Sequence, residues 1–162
     1  MHRLFAIAML LSGAGASGCD AGPGAPPTDS CAMPSAGSVD SLELGAATMG
    51  DLTGMPTAFA PLHDGDGMAL IRGAQGANML GFILRVSGSS APSCLGQQTI
   101  VTDTAGARIT TSTPPLATYA QPDGTRLTHP LWLPADYPTT FVVSVAAGGQ
   151  TATLHLHLLL AQ

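Results

Sequence analysis

From Met79 to Ser87 the chain reads MLGFILRVS, with Leu80, Phe82, Leu84 and Val86 on alternate positions and Gly81, Arg85 and Ser87 between them. A period of two predicts a strand with one buried face. The same alternation recurs in Thr139 to Ala146, where Phe141, Val143 and Val145 share a face opposite Thr140 and Ser144. It recurs again in Thr151 to Leu160, with Ala152, Leu154, Leu156, Leu158 and Leu160 inward and Thr151, Thr153, His155 and His157 outward. Between the last two runs lies Gly148-Gly149, and both glycines tolerate the positive φ that a two-residue hairpin requires. That turn pairs Ala147 with Gln150, and therefore Val145 with Ala152, Val143 with Leu154 and Phe141 with Leu156. Every inward residue then meets an inward residue, as a sheet with one buried face demands. Turn chemistry and side-chain pattern agree independently.

Two further hairpins follow from turn signals. Asp103-Thr104-Ala105-Gly106 separates Gln97–Thr102 from Ala107–Thr113, and Pro122-Asp123-Gly124 separates Leu116–Ala120 from Thr125–Leu133. Pro130 cannot donate to a ladder, so the last run is expected to be an edge or to break there. Val39–Leu44 and Gly67–Arg72 bring the total to about eight strands. Strands of this length with short turns predict an all-β fold, an antiparallel β-sandwich of immunoglobulin type, with a small closed barrel as the alternative. No helical period competes, and 20 Gly and 13 Pro argue against a helical bundle.

Composition divides the chain. Residues 20 to 37 are rich in Gly, Pro, Ala and Ser with little to bury, which predicts a flexible spacer. Before them, Met1-His2-Arg3, the apolar Leu4–Leu11 and the small residues Ser12–Gly18 follow the order of a bacterial export signal. The apolar stretch is far shorter than the roughly 20 residues a membrane span needs. Ala16-Ser17-Gly18-Cys19 resembles the lipobox of bacterial lipoproteins, departing from it at Ala16, where Leu is usual. The resemblance implies that Cys19 becomes the first mature residue and carries lipid. The alternative is cleavage after Ala14-Gly15-Ala16, releasing a soluble protein that keeps Cys19. The expected organisation is a leader over 1–18, a lipidated tether over 19–37 and a domain over 38–162, held at the cell envelope and facing the periplasm or the exterior.

Cysteine arithmetic fits the lipid. Three Cys are odd for an exported chain, and giving Cys19 to lipid leaves the pair Cys31 and Cys94. Export places them where disulfides persist. A bridge between them closes a loop worth about 4 kcal/mol on chain-entropy grounds and is expected to tie the tether to the domain.

Leu42 to Gly88 is similar to a family of uncharacterised bacterial lipoproteins. The shared elements read Glu43-Leu44-Gly45, Phe59-Ala60-Pro61-Leu62-His63-Asp64-Gly65-Asp66, Gly73-Ala74-Gln75-Gly76 and Leu84-Arg85-Val86-Ser87-Gly88. Ala77 stands where the family usually has a second Gly. The resemblance implies an exported β-domain on a lipid anchor and no known activity.

Charge narrows the function. The chain has five Arg, no Lys, nine Asp and one Glu, for a net charge of −5. Nucleic-acid affinity rests on phosphate neutralisation, so that partner is excluded. Catalysis by a lysine or by a pair of glutamates is equally excluded. No G-x-S-x-G elbow is present, Gly73–Gly76 lacks the Lys-Ser/Thr of a phosphate loop, and Cys31 sits in a Pro-containing segment unsuited to a preorganised thiolate. The chain therefore reads as a non-enzyme, acting through the membrane anchor and contacts with an envelope protein or ligand. A metal site is the alternative. His155 and His157, two apart on a strand, lie about 7 Å apart on one face and suit Cu(II) or Zn(II) if His129 or His63 adds a third imidazole. His63, Asp64 and Asp66 form a weaker cation set: an EF-hand loop begun at Asp64 would need Glu where Gln75 stands. Asp-Gly repeats also serve plain turns.

Overall fold

A computed structural model describes residues 31–48, 56, 58–72, 76–134 and 138–159. The leader, Cys19, residues 20–30, Gly73–Gln75 and Leu160 lie outside the described residues. Those described form strands and no helix, arranged as two sheets packed face to face.

The first sheet runs β2 (Ala60–Pro61), β1 (Ser41–Ala46), β5 (Asn78–Ser87), β10 (Arg126–Thr128), β9 (Leu116–Ala120) and β6 (Cys94–Leu95). Onto β5 also pair β11 (Leu131–Pro134), which continues the line of β10, and β4 (Ile71–Arg72). The second sheet runs β3 (Gly67–Ala69), β13 (Gln150–Leu159), β12 (Thr140–Ala147), β7 (Gln97–Asp103) and β8 (Arg108–Ser112). Setting aside the short segments, the order β1, β5, β10–β11, β9 over β13, β12, β7 is that of an immunoglobulin sandwich, extended by β8. Each sheet keeps its own edges, so the closed barrel is set aside.

The C-terminal hairpin has the register its sequence predicts. Ala147 pairs with Gln150, Val145 with Ala152, Val143 with Leu154 and Phe141 with Leu156. Gly148 and Gly149 take φ of +56° and +88°, both in the region open to glycine. The Asp103 and Asp123 turns also form where expected, Asp103 accepting from the N–H groups of Ala105 and Ala107 and Asp123 from that of Thr125.

Three expectations are corrected. Gly67–Arg72 is not one strand: it divides at Leu70, with β3 in the second sheet and β4 in the first, because the chain crosses the sandwich there. The pair β3–β13 is parallel, so the sandwich is mixed rather than wholly antiparallel. Strand β5 is not half-buried. Gly81 and Ile83 on its outer face are also covered, because Phe59, Leu127, Trp132 and Ala47 cluster over Ile83. The expected bridge between the tether and the domain is present. Cys31 is bonded to Cys94 on β6, the Cα atoms 5.6 Å apart.

Thr125–Leu133 breaks at His129-Pro130, as the proline requires, and the register against β5 shifts by one residue: Leu127 faces Arg85 but Leu131 faces Phe82. The fully buried Thr128 repairs the gap, its hydroxyl accepting from Leu84 N–H at 2.9 Å. Between the sheets lies one core, centred on Phe82, Leu84, Val86, Phe141, Val143 and Val145 and sealed at one end by Val39.

Candidate functional site

His63, Asp64, Asp66, His155 and His157 meet on the open side of the sandwich, where β1 ends the first sheet and β13 flanks it in the second. They meet because a strap, residues 58–66, runs from one sheet to the other. Phe59 lies on the outer face of the first sheet, seated on Gly45 so closely that a Cβ there would come within 2.5 Å of its ring. Arg85 stacks over that ring, 4.4 Å from its centroid, and pairs with Glu43 across the β1–β5 register. Ala60–Pro61 then follows the edge of β1, and Leu62 N–H donates to Leu44 O at 2.9 Å. The turn His63–Asp66 carries the chain onto β13.

There the strap is bonded to the strand's edge. Asp64 Oδ1 accepts both the main-chain N–H of His155 (2.6 Å) and its ring Nδ1 (2.9 Å). An ionised carboxylate can only accept, so the proton of that pair resides on Nδ1. Gly65 N–H donates to His155 O at 2.7 Å, and His157 N–H to Asp66 O at 3.1 Å. These bonds, the main-chain one first and the ring second, hold the Asp64 carboxyl below the ordinary value of 3.8 despite its exposure. Asp66 closes its own turn, accepting from His63 N–H at 2.7 Å, with His63 Nδ1 at 3.4 Å.

The two candidate sets, 63–66 and 155–157, are thus brought together, though as paired groups. Asp64 is engaged by His155 and Asp66 by His63. His157 projects outward as its strand position predicts, its Nε2 lying over Gly67. His129, offered as a third ligand, sits in the first sheet at the β10–β11 break, its N–H donating to Ala117 O at 2.7 Å. Among the described residues no three His, Cys, Asp or Glu side chains are grouped so as to hold an ion. What the arrangement does chemically is fasten a loop to a strand edge through one carboxylate–imidazole contact, Asp64 to His155, and main-chain bonds, while the second such contact, Asp66 to His63, closes the loop itself.

Two shallow openings flank the strap. One, of about 240 Å³, lies beneath it and is lined by Leu42, Leu44, Pro61, Leu62, Ala152 and Leu154, with Glu43 and His63. The other, of about 320 Å³, lies beside Phe59 and Arg85 and reaches Gln121 and Asp123. The Thr125 hydroxyl, then its N–H, hold Asp123 below its ordinary pKa, so this carboxylate is engaged in its own turn.

Sequence reasoning missed the unit formed by Glu43, Gly45, Phe59 and Arg85. One signal was present: Glu43 is the only Glu in the chain. No protein-family model matches the chain, and neither a curated protein nor a solved structure does.

Proposed function

We propose that the protein is a lipid-anchored component of the bacterial cell envelope that acts by position and contact, without catalysis. The observation that carries this reading is the N-terminal order of basic start, short apolar run, small residues and Cys19, which resembles a lipoprotein leader. The disulfide supports it, because pairing Cys31 with Cys94 leaves Cys19 as the single cysteine for acylation and fits an oxidising compartment. On this reading the lipid holds the chain to a membrane, a short tether follows, and the sandwich offers its loops and outer faces to a partner in the periplasm or outside the cell.

The contacts around the strap support a scaffolding role for the elements shared with the lipoprotein family. Gly45 seats Phe59, Glu43 holds Arg85, Arg85 covers Phe59, and Asp64 and Gly65 fasten β13. They join the two sheets, which leaves the partner-specific surface to be sought elsewhere. Mass spectrometry of the mature N-terminal peptide from native membranes tests the anchor. A peptide beginning at Cys19 with acyl chains on its thioether and amine is expected, and an unmodified peptide beginning at Ser17 overturns the proposal.

A further inference from the structure

The N-terminal end of the described chain is held in two unlike ways. Cys31 is bonded to Cys94 at the outer edge of the first sheet, and residues 32–38 beyond it are exposed. Their polar attachments are solvent-facing: Ser35 N–H donates to Cys94 O (2.9 Å), Cys94 N–H donates to Ser35 Oγ (3.0 Å), and the Ser38 and Ser90 hydroxyls meet at 3.1 Å, while Pro34 packs on Gly96 and Gly37 against Ser90 and Pro92 at the surface. Water replaces such bonds at small net cost. Val39 is different. It is 3% exposed within the main core, its N–H donates to Gly148 O and its carbonyl accepts from Gln150 Nε2, both at 3.2 Å. From Asp40 onward the chain is zipped to β5. Both cysteines are half-exposed, open to an attacking thiolate.

We infer that the Cys31–Cys94 bond is a redox catch that sets where the tether leaves the domain: the β6 edge when oxidised, Val39 when reduced, with the sandwich folded in both states. The reductant is a protein or small-molecule dithiol. Its thiolate attacks one sulfur and expels the other as a thiolate, and its second thiol then resolves the mixed disulfide. Two electrons and two protons pass to Cys31 and Cys94, which end as thiols, while the reductant leaves as a disulfide. The consequence for reach rests on the proposed anchor at Cys19. From Cys19 the tether has 12 residues to Cys31 but 20 to Val39. Fully extended, that raises its limit from roughly 40 Å to roughly 70 Å.

Hydrogen–deuterium exchange on the full-length protein, with and without dithiothreitol, tests the catch. Reduction is expected to speed exchange at the Ser35 amide at least tenfold while Val39, Asp40 and β1 change less than twofold. The Cys31→Ser chain should show the reduced pattern with or without dithiothreitol. General loss of protection through β1 and β5 would overturn the catch, as would a Ser35 amide that stays protected in the reduced protein or in the variant. If the exchange responds as expected but the N-terminal peptide carries no lipid, the catch stands and the membrane reach falls.

Discussion

The C-terminal hairpin and the strap secure the same open side of the sandwich by opposite means. The hairpin's register follows from neighbours in sequence, a two-glycine turn and strict alternation, and its inner face enters the core with Phe141 fully buried. The strap lacks regular structure beyond the two residues of β2. Its path is fixed by single contacts to remote residues: Phe59 on Gly45, Arg85 on Phe59, Asp64 on His155. Burial is worth kilocalories per side chain, whereas exposed ion pairs are worth about 1 kcal/mol or less. The hairpin therefore carries the fold, and the strap is the part that can open without losing it.

The largest effect tests the hairpin. Phe141→Ala should cost about 3–5 kcal/mol, seen as a lower denaturation midpoint with an unchanged slope. A loss below about 1 kcal/mol would place the core's weight elsewhere. Next comes the outer face of the first sheet. A Cβ at Gly81 would stand 2.3 Å from the Trp132 ring, so Gly81→Ala should cost about 1–3 kcal/mol and shift the emission of the only tryptophan. Unchanged emission would mean that the ring does not lie over the strand.

Smaller effects belong to the strap. Glu43→Gln removes the partner of Arg85 and should cost at most about 1 kcal/mol, with faster amide exchange at Leu62 and Gly65 and none added in the hairpin's inner bonds. Equal acceleration in both regions would end the distinction between them. The smallest effect depends on pH. Asp64 has its pKa lowered in the folded state, so its bonds to His155 are complete above the ordinary value of 3.8 and weaken as pH falls through the lower folded value. The His155 amide should lose protection in that acid range, and Asp64→Asn should remove the pH dependence.

How much was legible beforehand divides along the same line. The hairpin, the Asp103 and Asp123 turns and the break at Pro130 were readable because each is written within a few residues. Leu80, Phe82, Leu84 and Val86 were readable as one face of β5. The covering of Ile83 was not, since it depends on Phe59 and Trp132 arriving from distant segments. The division of Gly67–Arg72 escaped for the same reason: a run of apolar residues does not say which of two sheets each half joins. His155 with His157, and His63 with Asp64 and Asp66, were singled out as two separate candidate cation sets. Their pairing, one carboxylate to one imidazole, is a tertiary outcome that spacing alone cannot reveal. Cys31 and Cys94 were found by counting, and with them the tie between tether and domain, whereas the hydrogen bonds of Ser35 and Ser38 were not legible in a composition typical of linkers.

Detergent-phase partitioning of the protein from its native membranes, compared with the Cys19→Ser chain, tests the anchored reading most directly. The account predicts that the natural chain enters the detergent phase and stays with membranes in high salt, while the variant is recovered in the aqueous phase with its sandwich intact. A natural chain found in the aqueous phase, or a variant that partitions like it, would contradict the account.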